Sequence, residues 1–417
     1  MTQISKNFIN ALLADATYIN LNPSMGAREM ADALSGRMTP GLAQFIADNF
    51  EVASAIDTPD IPLLGSGFDA TVWRGRVGTE FEGQIFVSTR GTEPPGVDIW
   101  GADVDLAVNV AARTQLIDMV NWWLRETTPA GVQAKQIKWE PLRPKPGSSI
   151  EVEPGVVLAG TVTGTGSLVG VTSVQVNGHS LGGHLASAFA RIFGGENLAA
   201  TGSVSVESIQ TFNSAGFNGD NAEPFFAQIQ ELLGTGLISF DLVKAKQTNF
   251  FAENGINVTT NTWWFTQMGE RVGLNQEEGL ADANHSMYRI TDLLALGAAL
   301  DKLDSNSSIG LLNQLSALGS NLPAGSLEGV LDGLRRTILG ALMPSLTIGD
   351  AKDSDPARMA YHAALSELQE SSAFGALAGK VTLIPTTDYA NLQAHAKTGF
   401  GEFLSLHTLS PVVISTT

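Results

Sequence analysis

The chain has 417 residues, more than one hydrophobic core usually supports, so a large α/β domain with a smaller appended region is the prior. Its 24 basic against 42 acidic residues give a formal charge of −18, which sets aside nucleic acid and anionic membrane surfaces as electrostatically attracted partners. Cysteine is absent, which excludes disulfides, a thiol nucleophile and thiolate metal sites.

The opening MTQISKNFINALLADATYINL lacks the basic and apolar regions of a secretory leader, and no window approaches 18 uninterrupted apolar residues. The expectation is a protein without a transmembrane segment, secreted without a cleaved N-terminal signal or, alternatively, cytoplasmic. Residues 5 to 56 read as helical, because Ile9, Leu12 and Leu13 and then Met30, Leu34, Leu42, Phe45 and Ile46 recur at helical spacing around a break at Asn22-Pro23. Two β-rich runs follow, Ala70 to Val77 and Gln84 to Thr89, separated by turn chemistry at Gly78, and predict a hairpin. The second run exits through Arg90-Gly91-Thr92-Glu93. A glycine and a small hydroxyl residue at the carboxyl end of a strand form a loop whose backbone N–H can point into a crevice.

Leu116, Met119, Val120 and Trp123 predict an amphipathic helix from Leu106 to Arg125. Residues 129–170, with five prolines and the β-rich run Val156 to Thr163, read as an insertion carrying a small hairpin. Val174 and Val176 then end a buried strand, and Gly178-His179-Ser180-Leu181-Gly182 follows without a spacer into a helix reaching Phe193. This is the pattern of a nucleophile elbow, in which flanking glycines let a serine take a strained turn and project its hydroxyl at the positive end of the following helix.

Further strands are expected at Ser208 to Phe212 and Gln247 to Ala252, and a helix opens at Asn284-His285-Ser286. Beyond residue 305 the pattern is mainly helical, with one short strand at Val381 to Ile384. A serine hydroxyl needs a neighbouring base, and the base needs a third group to set its tautomer. When acid and histidine follow the serine from later strand ends, His285, 105 residues after Ser180, fits as the base. His179 and His184 are tied to the elbow, and His362, His395 and His407 lie in the late helical region. For the acid, Glu253 stands in the expected turn, with Asp282, Asp241 and the neutral Asn254 or Asn257 as alternatives.

FVSTRGTE, Asp98-x-Trp100 with Asp103, NGHSLGGHLA, FNSAGF and NHSMY, in this order over roughly residues 8 to 300, resemble the class 3, fungal-type lipases. GSGFDATVW and FNSAG are most similar to bacterial secreted lipases and phospholipases of the A1 type. The resemblance implies an α/β-hydrolase fold with a central, mostly parallel sheet, lipase domain 1–304 and helical region 305–417. It also implies nucleophile Ser180, base His285 and an oxyanion hole from the amides of Thr92 and Leu181. The family usually places an aspartate where this chain has Glu253-Asn254-Gly255. The expected activity is acyl-lipid ester hydrolysis through an acyl-enzyme. A phospholipase of the A1 type and a catalytically silent binding protein are the alternatives. The expected partner is a lipid or ester substrate met at a transient lipid interface, with apolar mouths from Trp122, Trp123, Trp263, Trp264 and residues 222–236. No cofactor is expected, and structural calcium is not readable from the sequence.

Overall fold

A computed structural model describes residues 2–58, 66–91, 112–145, 147, 151–195, 202–216, 219–234, 240–254, 267–277, 284–319, 326–347, 356–385, 397, 401, 404–405 and 412–416. Within them the strands are β1 (Phe50–Asp57), β2 (Asp69–Gly75), β3 (Ile85–Thr89), β4 (Gln133–Pro144), β5 (Val152–Thr163), β6 (Ser173–His179), β7 (Ser205–Phe212), β8 (Gln247–Ala252), β9 (Glu270–Leu274), β10 (Val381–Pro385) and β11 (Val412–Thr416). The helices are α1 (Gln3–Ala16), α2 (Ala27–Leu34), α3 (Pro40–Asn49), α4 (Ala112–Thr127), α5 (Leu181–Phe193), α6 (Gly219–Leu233), α7 (Phe240–Lys246), α8 (Met287–Leu303), α9 (Ile309–Gly319), α10 (Leu327–Leu339), α11 (Pro356–Glu370) and α12 (Ser372–Leu377).

Among the described residues, seven strands form one mixed sheet in the order β1-β2-β3-β6-β7-β8-β9. β1, β2 and β3 pair antiparallel, and every pairing from β3 to β9 is parallel. This is an α/β architecture, and its parallel half demands helices on both faces. Alternation along the strands divides the core accordingly. Val72 and Val87 pack with α4 and α5 on one face, while Trp73 and Phe86 pack with α1 to α3 on the other. A second cluster on that latter side joins Phe212 and Phe250 to α8 and to Leu312, Leu331 and Tyr361, so one core continues across residue 304. Each large apolar side chain buried this fully contributes roughly 1.5–3 kcal/mol.

Three departures from the sequence reading have physical causes. Phe50–Asp57 is a strand, not the end of a helical run: Phe50 and Val52 are buried on alternate positions, and pairing with β2 satisfies its backbone on one edge. β9 had no clear alternation, since ERVGL is buried only at Leu274, and its position is set by parallel pairing with β8. Trp122 and Trp123 do not line a mouth. Both are buried in the main core, Trp123 edge-on to Phe189, and Phe225, Phe226 and Ile229 of α6 join the same cluster. Trp263 and Trp264 lie outside the described residues. β4 and β5 pair antiparallel and pack against α4 and α6 respectively.

Where α1 crosses the sheet the contact is polar. Asn7 accepts from Gln210 at 2.9 Å, and Asn10 accepts from Asn177 at 3.0 Å. Each bond pairs a buried side-chain N–H of the sheet with an oxygen of α1 and ties α1 to β6 and β7. Among the described residues no helix is long and apolar enough to cross a membrane.

Candidate active site

The elbow forms because three chain segments meet with no room for side chains. A Cβ on Gly178 would lie 2.4 Å from the Gly182 carbonyl oxygen, and one on Gly182 would lie 2.2 Å from the Thr89 oxygen. The Thr89 hydroxyl closes the same junction by donating to the Gly182 carbonyl at 2.6 Å. The end of β3, the end of β6 and the start of α5 are thereby locked together. Ser180 pays for this with φ 57° and ψ −126°, a region that side chains other than glycine rarely occupy. Its amide donates to Phe212 at 3.0 Å, and its carbonyl accepts from Ala215 at 3.2 Å, so the strained turn is held from β7.

His285 sits just before α8, and its Nε2 is 2.9 Å from Ser180 Oγ, within reach for a proton transfer. Asn213 is one of the groups that hold the backbone here. Asn213, at φ 43° just past β7, donates from Nδ2 to the carbonyls of Asn284 (3.1 Å) and His285 (2.9 Å). Its Oδ1 accepts from the Ala252 amide at 3.0 Å, tying β8 into the same corner. Leu181 opens α5 beside Ser180, and the first amides of a helix have no intrahelical acceptor, so the Leu181 N–H stands at the end of the helix dipole. Thr92 lies outside the described residues. Gly91 is placed, however: a Cβ there would come 2.9 Å from Ser180 Cβ.

The acid candidates fare differently. Glu253 is exposed, and its carboxylate lies against Gly273, where an added Cβ would meet Oε2 at 2.5 Å. No hydrogen bond joins Glu253 to His285, so the structure does not bring the sequence's first acid candidate to the pair. Asp241 is 92% exposed on its side chain and faces Lys244 at 3.8 Å on α7. Asn254 is engaged with Gln276, donating from Nδ2 at 2.5 Å and accepting at its carbonyl at 2.8 Å. Asp282 and Asn257 lie outside the described residues, as do His395 and His407.

His184 and His362 are occupied elsewhere. His184 is buried, with Nδ1 3.2 Å from the Gly216 carbonyl, and burial lowers its pKa to about 4, so it stays neutral. His362 bonds Asp292 at 2.6 Å, and Arg358 bonds the same carboxylate through Nε and Nη2 at 2.8 to 2.9 Å. Burial alone would raise the Asp292 pKa, but Arg358 and His362 outweigh it and hold the carboxyl at about 2. Sequence reasoning missed Tyr18, the ring of His179, and the clamp made by Asn213. For Asn213 a signal existed, in the strand-exit motif FNSAG; for Tyr18 there was none. A cavity of about 720 Å³ opens among α1, α3, α8 and α11, lined by Phe8, Phe45, Ala298 and His362, and includes neither Ser180 nor His285. Among the described residues no group of three or more His, Asp or Glu side chains converges as a metal site.

No family model and no curated protein matches this sequence. Among solved structures, the M37 lipase is similar at 14% identity and a TM-score of 0.28, over 60% of this chain and 68% of that one. At that TM-score the two chains share too little for function to be transferred.

Proposed function

We propose that this protein is a serine carboxylic-ester hydrolase that cleaves acyl lipids through an acyl-enzyme. The observation that carries the reading is the pairing of a backbone-strained Ser180 with His285 Nε2 at 2.9 Å, at the carboxyl ends of parallel strands. In this reading Ser180 Oγ attacks the ester carbonyl while its proton passes to His285 Nε2. The Leu181 amide, with that of Thr92, stabilises the oxyanion of the tetrahedral intermediate. His285 then returns the proton to the departing alkoxide, leaving the acyl group on Ser180. Water, deprotonated by His285, attacks the acyl-enzyme carbonyl, and as the acyl–oxygen bond to Ser180 breaks His285 returns the proton to Ser180 Oγ, releasing the acid and restoring the enzyme.

The test is a fluorophosphonate label followed by hydrolysis of p-nitrophenyl esters, triacylglycerol and phosphatidylcholine. One label per chain on Ser180 is expected, and Ser180→Ala should lose both the label and the activity, on the order of 10⁴-fold or more in kcat. Retained hydrolysis in Ser180→Ala refutes the assignment. The panel separates triacylglycerol hydrolysis, the favoured substrate class, from an A1-type attack on glycerophospholipid.

A further inference from the structure

His179 precedes the proposed nucleophile, and its ring does more than fill space. Its Nδ1 lies 2.6 Å from Tyr18 Oη and its Nε2 lies 2.7 Å from the main-chain carbonyl oxygen of His285. A carbonyl only accepts, so Nε2 must carry a proton. Burial, the nearby His285 and Arg37 push the His179 pKa well below its ordinary value, so the ring is neutral and Nδ1 is an acceptor. The direction of the chain is therefore determined: Tyr18 O–H donates to His179 Nδ1, and His179 Nε2–H donates to the His285 carbonyl.

One end of this chain bonds the His285 backbone directly, and the other reaches Ser180 through Gly91. The His285 carbonyl is held from β6 by His179 and from β7 by Asn213, so the backbone of the base is pinned on two sides. At the other end, Gly91 fits between Tyr18 and the elbow. A Cβ on Gly91 would lie 3.0 Å from Tyr18 Oη, 2.7 Å from the His179 carbonyl oxygen and 2.9 Å from Ser180 Cβ. Tyr18 is itself fixed: the Arg37 guanidinium stacks 4.1 Å above its ring and is held by Asp15 at 2.8 Å, while Arg90 lies 5.6 Å away over the same ring. The rings of His179 and His285 are 4.8 Å apart, a distance at which a charged His179 would oppose the imidazolium formed on His285, and a neutral one does not.

We propose that Tyr18 and His179 are positioning residues that hold the Gly91 loop, the Ser180 elbow and the His285 backbone in one frame. They thereby set the distance over which Ser180 and His285 exchange a proton. The inference rests on the reading of Ser180 and His285 as nucleophile and base.

Tyr18→Phe removes one oxygen and no bulk. For a soluble ester, kcat should fall about tenfold, the kinetic equivalent of one net hydrogen bond, with KM within about twofold. His179→Leu should lose at least as much, and Tyr18→Phe combined with His179→Leu should be no worse than His179→Leu alone, because the two act through one chain. His179→Gln can return an amide N–H toward the His285 carbonyl and should recover part of the loss. An unchanged kcat in Tyr18→Phe, or strictly additive losses, would overturn the proposal. A second measurement does not depend on turnover: in ¹⁵N-histidine NMR at neutral pH, His179 should be neutral with its proton on Nε2, and a protonated or Nδ1–H form overturns the hydrogen-bond chain. Fluorophosphonate labelling separates the two levels. If wild-type Ser180 takes no label, the hydrolase reading has failed and the positioning role falls with it. If wild type labels and Tyr18→Phe labels equally fast, only the positioning role has failed.

Discussion

Gly91→Ala puts one methyl group into the tightest corner of the site. The new Cβ would stand 2.7 Å from the His179 carbonyl oxygen and 2.9 Å from Ser180 Cβ. The first approach is about 0.7 Å short of an ordinary van der Waals contact of about 3.4 Å. Neither neighbour can turn away, since one is main chain and the other belongs to a residue already held at φ 57°. The loop after β3 and the elbow must therefore separate by several tenths of an ångström. Overpacking of this size costs about 1–3 kcal/mol in stability, which a domain of ordinary stability survives. The effect on rate should be larger in proportion, because a site tolerates about 0.5 Å of misplacement and loses about 10²-fold for 1 Å. We expect kcat for a soluble p-nitrophenyl ester to fall between about 10- and 100-fold, with fluorophosphonate labelling slowed to match. Gly41→Ala is the control: the position has open space within 4 Å and an ordinary backbone, and the variant should keep full activity. A Gly91→Ala protein with wild-type kcat would refute the claim that this glycine spaces the oxyanion-side loop from the nucleophile.

Glu253→Gln and Asp241→Asn should each leave kcat within about twofold, because both side chains are exposed and neither touches His285; loss of a true triad acid costs about 10⁴-fold, so such a loss in either variant contradicts the geometry. Asp282→Asn, assayed beside them, tests the remaining carboxylate candidate. Arg358→Ala leaves the buried Asp292 carboxylate without its guanidinium and should destabilise the fold by about 3–5 kcal/mol in urea titration, whereas Arg358→Met with Asp292→Leu should recover most of it. Glu277 is the opposite electrostatic case: burial, with Glu328 adding to it, raises its pKa from 4.5 to about 7. The folded state then binds this proton more tightly than the unfolded one, so its contribution is full below about pH 4.5 and is lost as pH rises through about 7. Glu277→Gln, which keeps an acceptor for the Leu327 amide, should flatten that decline by at most about 3 kcal/mol, read from urea midpoints at pH 5 and 8; an unchanged slope sinks the assignment.

How much was legible in the chain varied with the range of the forces involved. The elbow was fully legible, because glycine spacing, strand period and helix period all lie within Val174 to Phe193. Steric exclusion at Gly178 and Gly182 leaves few other backbones for those residues. The β2-β3 hairpin and the strands β6, β7 and β8 were legible for the same reason. His285 could be picked out by chain order and its neighbourhood, and it stands 2.9 Å from Ser180. Chain length made a large α/β domain the prior and the motif resemblance implied a mostly parallel sheet, and the sheet is parallel from β3 to β9.

The rest depended on partners far away in the chain. FEVASAID has weak strand preference and became β1 because β2 offered it an edge to pair with. Trp122 and Trp123 carry no mark in the sequence that separates a core side chain from one lining a mouth; packing of Trp122 against Phe68 and of Trp123 against Phe189 and Phe193 decided it. Glu253 stands at the right place after β8, but which way a loop carboxylate points is a matter of a few torsions, and here it lies on Gly273 rather than on the histidine. Tyr18 and His179, 161 residues apart, are joined by a single 2.6 Å hydrogen bond. Local sterics and periodicity act within about one element and can be read directly, whereas hydrogen-bond partners and burial are settled only when the assembled sheet and its helices bring distant side chains together.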